Sequence, residues 1–431
     1  MALGGGNWAV QDKKLPGSYV NYASAKDNKD NAITRGTVAV AIPLKWGEPN
    51  KILKIDKGDF YSRSLEIFGY NYNSKELLNL REIFKKADRV LLYRLDKEGK
   101  KANNKYAEAL YPGTHGNDLT IKVENSTAGE DLKTVITLLE GVKVDSQTVK
   151  NSSELKSNRF VSFKSDPLTS PDAGLPLSGG TDGSPITGTE HNAFLKALES
   201  YNFNVLACAS TEDSLKDVYI NFTERVRRTI GKNFQLVLHN KPKADNYAVI
   251  SVKNGVDANL VYWVAGAVAG VPINEALTNA KYDGELKVDT DYSQLELELA
   301  LRDGEFVLHQ CEDEIRVLKD INTLLTYTDK VDKDFSNNQT VRILDWLSAK
   351  YVHRFNTEFL GKVPNDEVGR IALWNGLLDD TKEAADLRAI EPVKAEDVIV
   401  IKGADKVSVS VTAKVVPVNA MEKVYNLIIT E

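Results

Sequence analysis

Five histidines, two cysteines and 61 acidic residues are the raw material for chemistry in this 431-residue chain. His115, His191, His239, His309 and His353 stand singly, with no two at metal-ligand spacing. Cys208 sits in "NVLACAS", which reads as a buried strand, so an inert reduced thiol is expected there and no disulfide to Cys311. Asp289 and Asp291 in "VDTDY" have the setting of a solvated turn rather than of a catalytic pair. "LSGGTDG" has glycines but lacks the lysine and the preceding strand of a phosphate loop. There is no G-x-S-x-G elbow and no cysteine in a nucleophile's context. No catalytic residue, metal or cofactor is therefore expected. Any work this protein performs must come from folding and association.

The elements point the same way. The chain exceeds what one core usually supports, so several domains are expected. A net charge of −6 gives no basic face for nucleic acid. "LVYWVAGAVAGVPI" is too short to span a bilayer and suits a buried core helix, and "MALGGGNW" has neither part of a signal peptide. A soluble cytoplasmic product is expected. Residues 1–31 read as an extended arm, although Leu15, Tyr19, Val20 and Tyr22 are unusual on a solvated tail. Residues 32–95 open a compact α/β region with "TRGTVAVAIPLKWG" and the amphipathic helix "SKELLNLREIFKKA". Short strands between turn residues make 96–183 a β-sandwich, closed by a Pro/Gly/Ser-rich linker. Over 184–337 helices alternate with apolar strands, the rhythm of a parallel α/β layer.

The region 338–431 opens with a helix whose Val341, Leu344, Leu347, Tyr351, Phe355 and Phe359 form one apolar face. Strand candidates follow: "EDVIVIKG", then "KVSVSVTAKVVPV" with Val407, Val409 and Val411 alternating against polar residues, then "KVYNLIIT". This last one is peculiar. Val424, Tyr425, Leu427, Ile428 and Ile429 make it apolar on both faces, the mark of a central strand, yet it lies where domains are usually frayed. An α/β enzyme with an appended β-domain would need a catalytic constellation, and a surface-layer or adhesin protein a secretion signal; neither is apparent.

Several stretches together resemble the tail sheath proteins of contractile phages and phage-tail-like bacteriocins of Gram-positive hosts. They run in family order: "MALGGGNW…LPGSYVNY", "RGTVAVAIPLKWGE", "YPGTHGNDL", "LSGGTDG", "VAGAVAGVPINEALTNAKYDGE", "DEIRVLKDINTL", "NNQTVRILDWL", "GKVPNDEVGR" and "EKVYNLIIT". The resemblance implies a central α/β domain likened to subtilisin but not catalytic, an inserted β-sandwich and an α+β C-terminal domain with extended terminal arms. It also implies a helical homopolymer around an inner tail tube, meeting baseplate and tail-terminator proteins, with no nucleic acid or membrane contact. Such a protein assembles in the host cytoplasm and ends in the tail of a virion or bacteriocin particle. Both arms would add strands to neighbouring subunits, with Val407, Val409 and Val411 receiving them and "PVNAM" as the hinge. The acidic stretch Asp379–Asp397 would place Asp379, Asp380, Glu383 and Asp386 against basic residues of the tube.

Overall fold

The computed structural model describes residues 35–169 and 173–430. Strand β1 (Thr37–Ile42) leads to β2 (Ile52–Asp56), helices α1 (Lys57–Phe68) and α2 (Leu78–Phe84), and β3 (Arg89–Arg94). The chain then leaves this layer to build β4 (Ala107–Ala109), β5 (Leu119–Asn125), β6 (Lys133–Leu139), β7 (Val142–Val149), β8 (Val161–Phe163) and β9 (Leu175–Pro176). It returns through α3 (Gly188–Leu198), β10 (Val205–Cys208), α4 (Asp213–Arg225), β11 (Gln235–His239), β12 (Val249–Lys253), α5 (Leu260–Gly270), α6 (Gln294–Arg302), β13 (Glu305–Cys311) and β14 (Glu314–Val317).

The two passes share one eight-stranded sheet in the order β14-β13-β12-β11-β10-β1-β3-β2. Its six inner strands are parallel, and β2 and β14 close the edges antiparallel. Strands buried on both faces are dominantly apolar: β10 is apolar throughout, and β11 is apolar over Leu236, Val237 and Leu238 between the buried polar ends Gln235 and His239. One face carries α1, α2 and α5, and the other α3 and α4. Helix α5 has no polar side to turn outward and is buried from Leu260 to Ala269. Its small residues let it press on the end of α2: a Cβ at Gly266 would stand 2.4 Å from the Ile83 carbonyl oxygen, and one at Gly270 2.1 Å from that of Lys86. The Cys208 thiol is free, and burial pushes its pKa up to about 11, as expected of an inert thiol.

The excursion is a small sandwich, with sheets β7-β6-β5-β9 and β4-β8. Leu119, Ile121 and Val123 of β5 point inward alternately, so strand parity alone builds its core. Its root is not loose. Lys97 bridges Gly183 and Lys100 bridges Thr181, so the chain enters and leaves side by side. Trp46 of the main layer packs edge-on against Tyr111 and His115, and Tyr70 stacks on His115. The buried Arg94 guanidinium donates to the carbonyls of Leu44 (2.6 Å), Gly47 (2.5 Å) and Pro112 (2.8 Å).

The last region holds α7 (Asn338–Arg354), α8 (Glu367–Asp386), β15 (Val398–Lys402) and β16 (Val409–Ala413). The expected apolar face of α7 is only part of its burial, since Asn338 to Ile343 are buried all round. Those polar residues knit α7 to the main layer. Asn338 accepts from Gln235 and donates to Asp320 and Ile321, and Arg342 pairs with Asp320 at 3.1 Å with neither side chain exposed. Arg227, beyond α4, holds Asp345 through two bonds of 2.7 and 2.8 Å. Breaking such a buried pair typically costs about 3–5 kcal/mol, so this junction is rigid.

Candidate assembly surface

Among the described residues, strands β15 and β16 form an antiparallel sheet with no third strand, pairing Val398 with Ala413 through to Lys402 with Val409. Strand parity puts Val398 and Val400 on the inner side, where they join Leu373, Leu377, Leu378, Trp374 and Tyr351 of α7 and α8. Trp374 fixes this packing by donating from its indole to the Val398 carbonyl, 2.8 Å away. On the outer side Ile399 and Ile401 stay exposed, at 42% and 56%. An isolated hairpin is at best marginally stable in water, and its unpaired edges are templates for further strands.

Residues 423–430 are the complement. They run without a strand partner among the described residues, and Val424, Tyr425, Leu427, Ile428 and Ile429 are 78–89% exposed. The hinge expected in "PVNAM" is instead a fixed root. Glu391 donates to the Val416 carbonyl, Val418 to the Ala389 carbonyl, and Ala420 to the Gln339 side chain. Glu422 accepts from Thr278 at 2.8 Å and pairs with Lys319 at 3.4 Å. The free arm therefore starts at Lys423. The other expected arm residues, Leu15, Tyr19, Val20 and Tyr22, lie outside the described residues.

Two further expectations need correction. Val407 lies outside β16: Asp405 accepts from the amides of Val407 and Ser408, and this side-chain-capped turn leaves Val407 87% exposed ahead of that strand. Val409 and Val411 do lie in β16, where Val409 packs against the layer over α8 and Val411 stays exposed. Of the four acidic residues, Asp380 is only 4% exposed and takes both bonds of the Arg354 guanidinium, at 2.7 and 2.8 Å. That pairing, reinforced by Glu358, holds the Arg354 pKa above its usual value and makes Asp380 a core residue. Glu383 is bound to Lys350 at 2.8 Å. Asp379 and Asp386 remain exposed at the end of α8. One further grouping has metal-like composition, His115 with Asp118 and Glu140. Both ring nitrogens of His115 are engaged, at 2.8 Å to Asp118 and 2.8 Å to the Gly69 carbonyl, so packing already explains it.

Four consecutive stretches match sheath families: the Gp18 domain III N-terminal region over 35–95, the β-sandwich domain over 97–182, the central domain over 184–323 and the C-terminal domain over 330–429. The sheath tail protein of Desulfitobacterium hafniense is similar at 33% identity and a TM-score of 0.81, with 95% of this chain and 99% of that one covered. The sheath tail protein of Listeria innocua gives 30% and 0.79, over 90% and 93%. The PBSX phage-like element protein XkdK of Bacillus subtilis is 29% identical, over 98% of this chain and 99% of its own length. The chain belongs to the phage tail sheath family. It is a structural subunit of a contractile tail sheath.

Proposed function

We propose that this subunit polymerises by strand donation. The arm beginning at Lys423 adds to the β15–β16 sheet of a neighbouring copy, and the N-terminal arm does the same for another neighbour. The observation that carries this reading is that the described residues include both an exposed segment apolar on both faces and a two-stranded sheet with open edges. Backbone hydrogen bonds would hold the donated strand, and alternate side chains would enter the apolar layer over α7 and α8. Nine extended residues reach about 30 Å, enough to cross to an adjacent domain.

The division of labour follows from the rigid α7 junction. Arms keep subunits connected while whole subunits slide and rotate around an inner tube. Added burial between central domains in the contracted state supplies the work. At about 25 cal/mol per Å² of apolar area, a few hundred square ångströms per subunit contribute several kcal/mol. In this reading the working parts are an arm over 1–31, a core split between 32–95 and 184–337, an outward sandwich over 96–183, and the assembly domain over 338–431. The core, likened to subtilisin by the family resemblance, acts without catalysis. Asp379 and Asp386 are the acidic residues left to meet a basic tube surface. Baseplate and tail-terminator proteins would meet the two ends of the sleeve. Assembly takes place in the host cytoplasm, whether the particle is a phage or a bacteriocin; among the described residues no helix is long and apolar enough to cross a membrane.

The test is removal of Val424–Glu431. A folded subunit with unchanged melting that forms no sleeves is expected. Normal sleeves from the truncated protein, seen by electron microscopy, would refute strand donation.

A further inference from the structure

A donated strand must pair in one register, and polarity cannot choose it here. Side chains alternate between the faces of a strand, so slipping an ordinary half-polar strand by one residue buries its polar set. In this arm a one-residue slip exchanges Tyr425, Leu427 and Ile429 for Val424, Asn426, Ile428 and Thr430, but a two-residue slip keeps the same apolar face inward, so polarity marks the face and not the register. Something outside the arm must count residues.

The root of the arm has the means. Gln339 lies in the first turn of α7, fully buried. Its Oε1 accepts from the Ala420 amide at 2.9 Å, and its Nε2 donates to the Val418 carbonyl at 3.3 Å and to the Ile273 carbonyl at 3.5 Å. The side-chain amide thus reads the backbone of the root at two points, as a strand neighbour would, and ties it to the central domain. Thr340 holds Asn419 at 3.2 Å, and Glu422 is clasped by Thr278 and Lys319. Every residue from Val418 to Ala420, and then Glu422, has a fixed address, and freedom begins one residue later.

We infer that Gln339, with the Glu422 clasp, is the register-setting device of sheath assembly: a positioning residue that fixes which arm residue meets which residue of the receiving copy. The inference rests on the strand-donation reading. It makes the number of residues between the clasp and the donated strand matter. Were register read by the arm itself, extra residues there would be harmless slack.

The experiment uses the full chain in five forms: unaltered, Gln339→Met, Glu422→Ala, with one alanine inserted between Glu422 and Lys423, and lacking Val424–Glu431. Each is measured for thermal midpoint, for hydrogen exchange of the 416–422 segment, and for the threshold concentration of sleeve formation. Gln339→Met keeps the shape and removes both backbone contacts. Complete release of Val416–Glu422 would lengthen the chain beyond the last fixed residue from nine residues to sixteen, and a −3/2 power law then lowers its effective concentration about 2.4-fold. The expected result is faster exchange within 416–422 and a threshold raised by up to about that factor in each substitution variant. The insertion should raise the threshold at least as much without altering exchange. Thresholds unchanged in the insertion and the Glu422→Ala variant would overturn the inference even if Gln339→Met failed to fold. If the truncated chain still assembles, strand donation itself fails. If it does not assemble while the insertion is neutral, donation stands and the register is set elsewhere.

Discussion

Replacing Leu427 or Ile428 with alanine separates what the arm does alone from what it does in the lattice. In the free subunit both side chains are exposed, at 86% and 87%, so either change should alter stability by no more than about 0.5 kcal/mol. In a completed sheet each would be buried, and truncating a buried Leu or Ile to Ala costs about 2–5 kcal/mol. At about 1.4 kcal/mol per tenfold, the assembly threshold should rise roughly 30-fold or more for an unchanged melting curve. The two residues also report on different faces, because neighbours along a strand point to opposite sides. A sheet covered on both sides penalises both variants; one covered only by α7 and α8 penalises one of them at least tenfold more. Threshold concentrations follow from dilution series read by sedimentation and negative-stain microscopy. If both variants assemble within twofold of the unaltered chain, the arm is not buried in the sleeve and the reasoning fails. A melting shift of several degrees with normal assembly would instead mean that the arm packs on its own subunit.

The acidic end of α8 should split in two: Asp380→Lys leaves Arg354 facing a like charge in a buried site and should cost about 3–5 kcal/mol in urea unfolding, whereas Asp379→Lys and Asp386→Lys should be nearly neutral for the subunit and alter only co-assembly with tube. Stability should also fall in mild acid. Burial lowers the pKa of His191, which lies 2.8 Å from the Tyr219 hydroxyl, and that of His239, where Lys216 adds to the effect. Below about pH 6.5 the unfolded chain takes up protons that these folded rings resist, so their contribution is complete above that pH and is lost as pH drops below it. Urea midpoints at pH 7.5, 6.5 and 5.5 should decline in that order, and less steeply in a His191→Gln, His239→Gln variant.

Much of the architecture was legible because it is written in periodicity. Helices alternating with short apolar strands announced the parallel layer, and a run apolar on both faces marked the segment that has no strand partner among the described residues. Helix α1 escaped notice because its buried stripe is Phe60, Ser64 and Phe68, with a serine where the pattern needs an apolar residue. A local charge count placed Asp380 on the surface, since its cation, Arg354, is 26 residues away and arrives only when α7 packs on α8. Val407 continued an alternating pattern, but the Asp405 turn decides where a strand starts. "GADKVS" carried that signal, with an Asp two residues ahead of Val407. Gln339 and Glu422 gave no such hint. A glutamine in a first helical turn and a glutamate near a chain end have many uses, and only tertiary packing brings Val418, Ala420 and Lys319 to them.

The Arg94 rivet has an evolutionary consequence. Two of its three carbonyl partners, Leu44 and Gly47, belong to the main layer, but the third, Pro112, belongs to the sandwich. Because the chain leaves and re-enters at neighbouring points, this position is topologically open to replacement, and lineages could trade one outer domain for another without disturbing the frame. The trade is constrained at one spot. An incoming domain must offer a carbonyl to Arg94 and an apolar edge to Trp46, or it leaves one nitrogen of a buried guanidinium with only the distant Asp96 carboxylate and uncovers an indole. Swappable ornament and fixed frame thus share a narrow common border, and it is there, rather than across the outer domain's exposed face, that exchange between lineages would be filtered.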